Sequence, residues 1–117
     1  MEGTTRQKGR QAEDLACSYL AARGLDLLHR NYQTRAGEID LIMRDGDIIV
    51  FVEVRSRQSA AAMHPVETID QRKLRRIIDT GRSYLQRECG VDQCRFDVVL
   101  VTHGREIEWL QNAIQDS

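Results

Sequence analysis

Apolar residues recur along this chain with two different periods, and the switches between them mark out the elements. From Thr5 to about Arg23, the residues Ala12, Leu15, Ala16, Tyr19 and Leu20 fall at helical spacing, and Gly24 supplies the stop. Leu25 to Gln33, LDLLHRNYQ, follows as a strand, and Gln33 to Gly37 is a loop. The next two runs, Glu38–Arg44 and Asp47–Arg55, are β-branched and apolar and meet at Asp45-Gly46, a short turn signal, so they predict a β-hairpin. Ser59–Glu67, SAAAMHPVE, is weakly patterned, holds the only proline, Pro65, and predicts a mobile loop able to close over a substrate. Thr68-Ile-Asp-Gln71 fits a capping box, and the helix it opens runs to about Cys89 with Leu74, Ile77, Ile78, Gly81 and Leu85 on one face. Gly90 ends it. Arg95–Thr102, RFDVVLVT, is apolar almost throughout, which suits a buried strand reached by a helical crossover and therefore parallel to a neighbour. His103-Gly104 turns the chain, and Glu106–Trp109 offers a short edge strand before a polar tail. The pattern as a whole predicts a single α/β domain over residues 1–117. Its order is αβββαββ, a mixed sheet with an antiparallel meander and one parallel crossover, and helices packed on the sheet.

The hairpin carries the chemistry, through its register. With Asp45 and Gly46 as turn residues, Arg44 faces Asp47, Met43 faces Ile48, Asp40 faces Phe51 and Glu38 faces Glu53. Partners across the ladder share a face, so Glu38, Asp40 and Ile42 lie with Ile49, Phe51, Glu53 and Arg55. The other face, Ile39, Leu41, Met43, Ile48, Val50, Val52 and Val54, is apolar and predicts core. A four-residue loop would keep this pairing, whereas a three-residue loop would send the carboxylates to opposite faces. Asp40 and Glu53 become diagonal neighbours, roughly 7 Å apart along the backbone, with side chains able to converge. Ile42, Ile49 and Phe51 need cover, so the hairpin is expected to be buried on both sides with its acids at the open end. Carboxylates gathered there repel one another and lose hydration, which is costly unless a cation or a raised pKa relieves it. A simple wet face would not carry three large apolar residues beside its acids.

Composition bounds the setting. The chain has 117 residues, 41% hydrophobic and 30% charged, which describes a globular domain with a modest core. No apolar run approaches a membrane span, and the opening MEGTTRQKGRQAED lacks the apolar segment of a signal peptide, so a cytoplasmic protein without a membrane partner is expected. Cys17, Cys89 and Cys94 are too few and too scattered for a disulfide scaffold or a zinc site, and His29, His64 and His103 have no ligand spacing. Asp45-Gly46-Asp47 is explained by a turn, without the downstream ligands of a calcium loop. A net charge of -1 argues neither for nor against a polyanionic partner, but all except Lys8 and Lys73 of the 17 basic residues are arginines, and several cluster. Arg72, Lys73, Arg75 and Arg76 crowd the first turns of the second helix, where positive charge opposes the helix dipole and suits a phosphate backbone instead. Arg57, at the end of the hairpin, is grouped with them, and Lys8 and Arg10 stand at the start of the first helix.

Glu13 borders the apolar stripe of the first helix and can point along it toward the sheet. Asp40, twelve intervening residues, then Glu53-Val54-Arg55, with Glu13 upstream, allows carboxylates from a helix and two strands to bind one hard divalent ion. Oxygen ligands with retained waters suit Mg²⁺ or Mn²⁺, and either ion supports phosphodiester hydrolysis. These motifs in this order resemble the restriction-endonuclease-like, PD-(D/E)xK nuclease superfamily, and Glu13 is similar to the helical acid of archaeal Holliday-junction resolvases. More closely, GRQAEDLACSYL, NYQTRAGEIDLIM, VFVEVRSR, the helix near Lys73 and RFDVV resemble the YraN family of small bacterial proteins. The resemblance implies a restriction-endonuclease-like core, metal ligation by Glu13, Asp40 and Glu53, and a nucleic-acid substrate. One position departs from it: where the superfamily has a lysine two residues after the second acid, this chain has Arg55. Arginine stays protonated, so it cannot take a proton from water, although it can hold a phosphate. Lys73 is the candidate to substitute from the helix. The expectation is therefore an Mg²⁺- or Mn²⁺-dependent endonuclease-like protein acting on DNA, with branched or damaged structures as candidate substrates. Asp40, Glu53, Arg55 and Lys73 would be catalytic, and Arg57, Arg72, Lys73, Arg75 and Arg76 would meet the nucleic acid. Resolving a symmetric junction would require a homodimer. The alternatives are a nucleic-acid-binding module that kept the fold and lost cleavage, which Arg55 motivates, and a protein-interaction domain with the acids as a charged rim.

Overall fold

The computed structural model of the chain describes residues 5–57, 69–89 and 93–115. The expected loop Ser59–Glu67, with Pro65 and His64, lies outside them, as do Thr68 and Gly90. The elements are α1 (Thr5–Ala22), β1 (Asp26–Gln33), β2 (Glu38–Asp45), β3 (Ile48–Arg57), α2 (Gln71–Tyr84, continued by a π-helical turn over Leu85–Cys89), β4 (Cys94–Thr102) and β5 (Glu106–Ile114). The strands form one sheet in the order β1-β2-β3-β4-β5. All neighbours are antiparallel except β3 and β4, which are parallel and joined through α2. This is the expected αβββαββ mixed sheet with a single parallel pair.

Both faces of the sheet are covered, which is why its central strands are apolar on both sides. Ala12, Ala16 and Leu20 of α1 bury against Leu41, Met43, Val50, Val52, Val99 and Val101. Ile77, Ile78 and Tyr84 of α2 bury against Ile42, Ile49, Phe51, Phe96 and Val98, giving the cover that Ile42, Ile49 and Phe51 required. At Gly81 the helix comes so close that an added Cβ would stand 2.8 Å from the Phe96 ring. Among the described residues no helix is long and apolar enough to cross a membrane.

Four local expectations are corrected. Asp45 pairs with Ile48, so the turn residues are Gly46 and Asp47 rather than Asp45 and Gly46. Gly46 takes the left-handed conformation at φ 61, while the Asp45 carboxylate accepts a hydrogen bond from Arg95 Nη1 of β4 at 3.1 Å and stays in the strand. Every pair is thus displaced by two residues, which keeps each side chain on its predicted face. The exception is Ile39, expected beside Leu41 but buried in the cluster under α2. The β2–β3 ladder stops at Leu41–Val52, and Ile39 follows β1 through its pairing with Tyr32. The N-cap of α2 is Asp70, whose Oδ1 accepts from the Lys73 amide at 2.8 Å. Finally, β5 extends well past Trp109 to Ile114. Its polar sequence stays in the sheet because the fully buried Asp97 accepts from Arg95 Nε, Trp109 Nε1 and the Asn112 amide, the last bent to φ 53 at a register shift.

Candidate active site

The site lies where the sheet forks. β2 and β3 pair from the turn as far as Leu41–Val52; beyond that β2 stays with β1 to Gln33–Glu38, and β3 stays with β4 to Arg57–Thr102. One step into the fork, continuing the Leu41–Val52 register would bring Asp40 opposite Glu53 rather than diagonal to it as expected from sequence, and the two carboxyls lie near enough to act on each other's charge. Asp40 Oδ2 accepts a hydrogen bond from the Val54 amide at 2.8 Å, so the carboxylate bridges the gap that the parting strands leave. Glu53, only 5% exposed, is met at Oε1 by Lys73 Nζ of α2 at 2.9 Å, with Arg55 Nη1 at 3.9 Å. Lys73 reaches it because the Asp70 cap starts α2 beside the fork.

Glu13 arrives from the other layer. It sits on α1 with its side chain 16% exposed, accepts a hydrogen bond from the Asn31 side chain, and lies 3.7 Å from Arg30 Nη2, whose shorter partner is Asp14 at 2.7 Å. Two cavities meet at the acids. The larger, about 560 Å³, runs between the β1–β2 loop and α2 and is lined by Glu38, Asp40, Glu53, Arg72, Lys73 and Arg76. The smaller, about 330 Å³, opens toward α1 and is lined by Glu13, Asp40, Glu53, Arg55 and Lys73. Asp40, Glu53 and Lys73 line both and so form the wall between them.

Electrostatics follow from this crowding. Burial, then the adjacent charge of Glu53, push the Asp40 carboxyl from its ordinary 3.8 up to about 7; Glu13 adds to the rise, while the Val54 amide and Lys73 oppose it. Burial also raises Glu13, against the Asn31 hydrogen bond and the charge of Arg30. A carboxyl that holds a proton near neutrality beside a second, buried carboxylate is a site short of positive charge. Oxygen-only donors in this state fit a hard divalent cation completed by water, with Asp40 and Glu53 as its core and Glu13 within reach of its shell. No three His, Cys, Asp or Glu side chains among the described residues are already closed into a ligand group, so Glu13 is gathered with the pair but not locked to it.

The other expected residues divide. Arg72 and Arg76 line the larger cavity; Arg75 is exposed on α2 and lines neither cavity. Arg57 is set apart, its Nε donating to Thr102 Oγ1 at 3.0 Å at the end of the β3–β4 pair. Glu38, expected opposite Glu53, pairs instead with Gln33 and stands exposed at the cavity rim, because β2 leaves β3 before reaching it. Sequence reasoning missed Asn31 and Gly37. The signal for Asn31 was an asparagine, a residue poor in strands and tolerant of positive φ, inside a strand pattern. For Gly37 it was the absence of a side chain where α2 passes: an added Cβ would lie 3.0 Å from Arg76 Cβ.

Comparison with known proteins finds relatives that match nearly the full length of the chain. Residues 12–101 match the family model described as "Uncharacterised protein family UPF0102". A UPF0102 protein of Coxiella burnetii is 44% identical over 98% of both chains. Similar relatives occur in Pseudomonas aeruginosa, 47% identical over 94% of both chains, and in Nitrosococcus oceani, 47% identical over 96% of this chain and 94% of the relative. The match spans α1, the forked hairpin, α2 and β4, and with it the chain belongs to the UPF0102, or YraN, family.

Proposed function

We propose that this protein is a metal-dependent nuclease acting on DNA, with Asp40 and Glu53 holding Mg²⁺ or Mn²⁺ and Glu13 contributing a further oxygen. The observation that carries this reading is the Asp40 carboxyl beside that of Glu53 in the sheet fork, bonded to the Val54 amide, with Lys73 Nζ 2.9 Å from Glu53. A bound divalent ion would polarise a phosphoryl oxygen and lower the pKa of a coordinated water. The chain's own groups supply the rest. Lys73 lines both cavities, so its ammonium can leave Glu53 for a non-bridging phosphate oxygen once a cation neutralises the acid. It thereby takes the place of the superfamily lysine that Arg55 has replaced. Arg55, permanently charged and beside Glu53, holds a phosphate but takes no proton. Arg72 and Arg76 extend the positive wall of the larger cavity along the path of a phosphate backbone.

A second reading, a DNA-binding module without cleavage, draws on Arg55 at the motif position. One experiment separates them. Purified protein is incubated with branched, duplex and single-stranded DNA and Mn²⁺, beside Asp40→Ala, Glu53→Ala and Lys73→Met. Cleavage lost in all three variants supports the nuclease. Salt-sensitive binding without cleavage supports the module. Cleavage that survives Asp40→Ala and Glu53→Ala belongs to a contaminant, and absence of both activities would discard the nucleic-acid reading.

A further inference from the structure

We infer that Asn31 is a positioning residue: its side-chain amide holds the Glu13 carboxylate toward the Asp40–Glu53 pair, so that a divalent cation meets three carboxylates rather than two. The inference rests on reading that pair as a metal site.

Three observations converge on Asn31. It adopts φ 53 inside β1, a left-handed conformation out of place in a strand, which asparagine tolerates better than most residues and glycine adopts freely. Its place in the register is the second. β1 pairs with β2 at Arg30–Leu41 and again at Tyr32–Ile39, and between these rungs Asn31 lies across from Asp40. Continued one step past Leu41–Val52, the β2–β3 register puts Asn31, Asp40 and Glu53 in one row across three neighbouring strands. The third is the hydrogen bond from the Asn31 side chain to Glu13, which ties α1 to this row.

The chemistry explains why an amide suits the position. A carboxylate held by an arginine gives up to it the charge that a cation would use. An amide donates one hydrogen bond and leaves both the charge and the remaining lone pairs available. Arg30 also reaches Glu13, at 3.7 Å, and lends it charge and a hydrogen bond, but its shorter partner is Asp14 at 2.7 Å. Among the described residues the other strand asparagine with a left-handed backbone shows the contrast. Asn112, also at φ 53, gives its backbone amide to the buried Asp97, a role that any residue able to take that conformation would fill. At Asn31 the side chain itself makes the contact.

Asn31→Gly is the decisive variant, since glycine accepts the left-handed backbone freely and removes only the amide. Mn²⁺ binding is measured by electron paramagnetic resonance of the free ion for the wild type, Asn31→Gly, Glu13→Gln, the double variant and Asp40→Asn. Asn31→Gly is expected to weaken Mn²⁺ binding about 10-fold, within the range for groups that orient metal ligands. The double variant should be no weaker than Glu13→Gln alone, and metal-free thermal unfolding of Asn31→Gly should match or exceed the wild type. Wild-type affinity in Asn31→Gly, or losses that add in the double variant, would overturn the positioning role while leaving the metal reading standing. Wild-type protein that binds no Mn²⁺, or binds it equally well as Asp40→Asn, would overturn both.

Discussion

Asp40 is where the parting of two strands becomes a measurable property of one side chain. Burial first and Glu53 second lift its folded pKa to about 7, above the ordinary value of 3.8 that it regains on unfolding. Between those values the folded chain holds a proton that the unfolded chain has released, so stability falls as pH rises through this window, and the full loss is felt above pH 7. At about 1.4 kcal/mol per unit the effect is on the order of a few kcal/mol, reduced where Asp40 and Glu53 titrate together. Chemical denaturation from pH 4 to 8 should show wild-type stability declining more steeply than that of Asp40→Asn, whose amide has no proton to lose. Millimolar Mn²⁺ should recover more stability at pH 8 than at pH 5, because ion and proton compete for the same oxygens. Equal slopes in the two proteins would mean that Asp40 is not perturbed.

At the scale of elements, the site depends on how closely α2 lies on the sheet, and two glycines set that distance. A Cβ at Gly81 would stand 2.8 Å from Phe96 and 3.1 Å from Phe51, both in the packed core, so Gly81→Ala should cost about 1–3 kcal/mol, read by urea unfolding. A Cβ at Gly37 would press on Arg76 Cβ at 3.0 Å and Thr80 Oγ1 at 3.2 Å, near the end of α2 that delivers Lys73. Gly37→Ala should therefore lower the proposed Mn²⁺-dependent cleavage more than it lowers stability, whereas Gly81→Ala should do the reverse. The elements themselves were legible because the two apolar periods are clean in α1, α2, β3 and β4. The turn was misplaced by one residue because Asp45 and Asp47 flank Gly46 alike, and only the long-range bond from Arg95 decides between them. The error moved each pair by two residues, an even number, which is why the face shared by Asp40 and Glu53 came through intact. The far half of β5 was not legible, since QNAI reads as polar tail until Asp97 is placed beneath it.

Considered as a whole molecule, the protein draws its site from both layers that sandwich the sheet: Glu13 from α1, Lys73 from α2, and Asp40 and Glu53 from the fork between them. Local pattern could place the two strand acids, because hairpin register is a short-range property. Whether Glu13 and Lys73 arrive depends on how two helices pack on opposite faces, which no window of sequence contains; the family resemblance implies Glu13, and Lys73 enters only as the substitute for the lysine that Arg55 displaces. The same distinction sorts the basic residues. Arg72 and Arg76 line the cavity beside the acids, whereas Arg57, equally basic in sequence, bonds to Thr102 at the end of the β3–β4 pair. A net charge of -1 means that attraction for a phosphate backbone has to come from such a local field rather than from the molecule's total. Affinity for DNA should then fall linearly on a log–log plot against salt, and neutralising Arg72 and Arg76 to Gln should reduce the slope by about one per lost phosphate contact. Arg57→Gln should leave that slope unchanged and act on stability instead. Fluorescence anisotropy with a labelled duplex between low and physiological salt reads all three. A slope that responds to Arg57 as strongly as to Arg72 and Arg76 would place the nucleic acid along β3 rather than along α2.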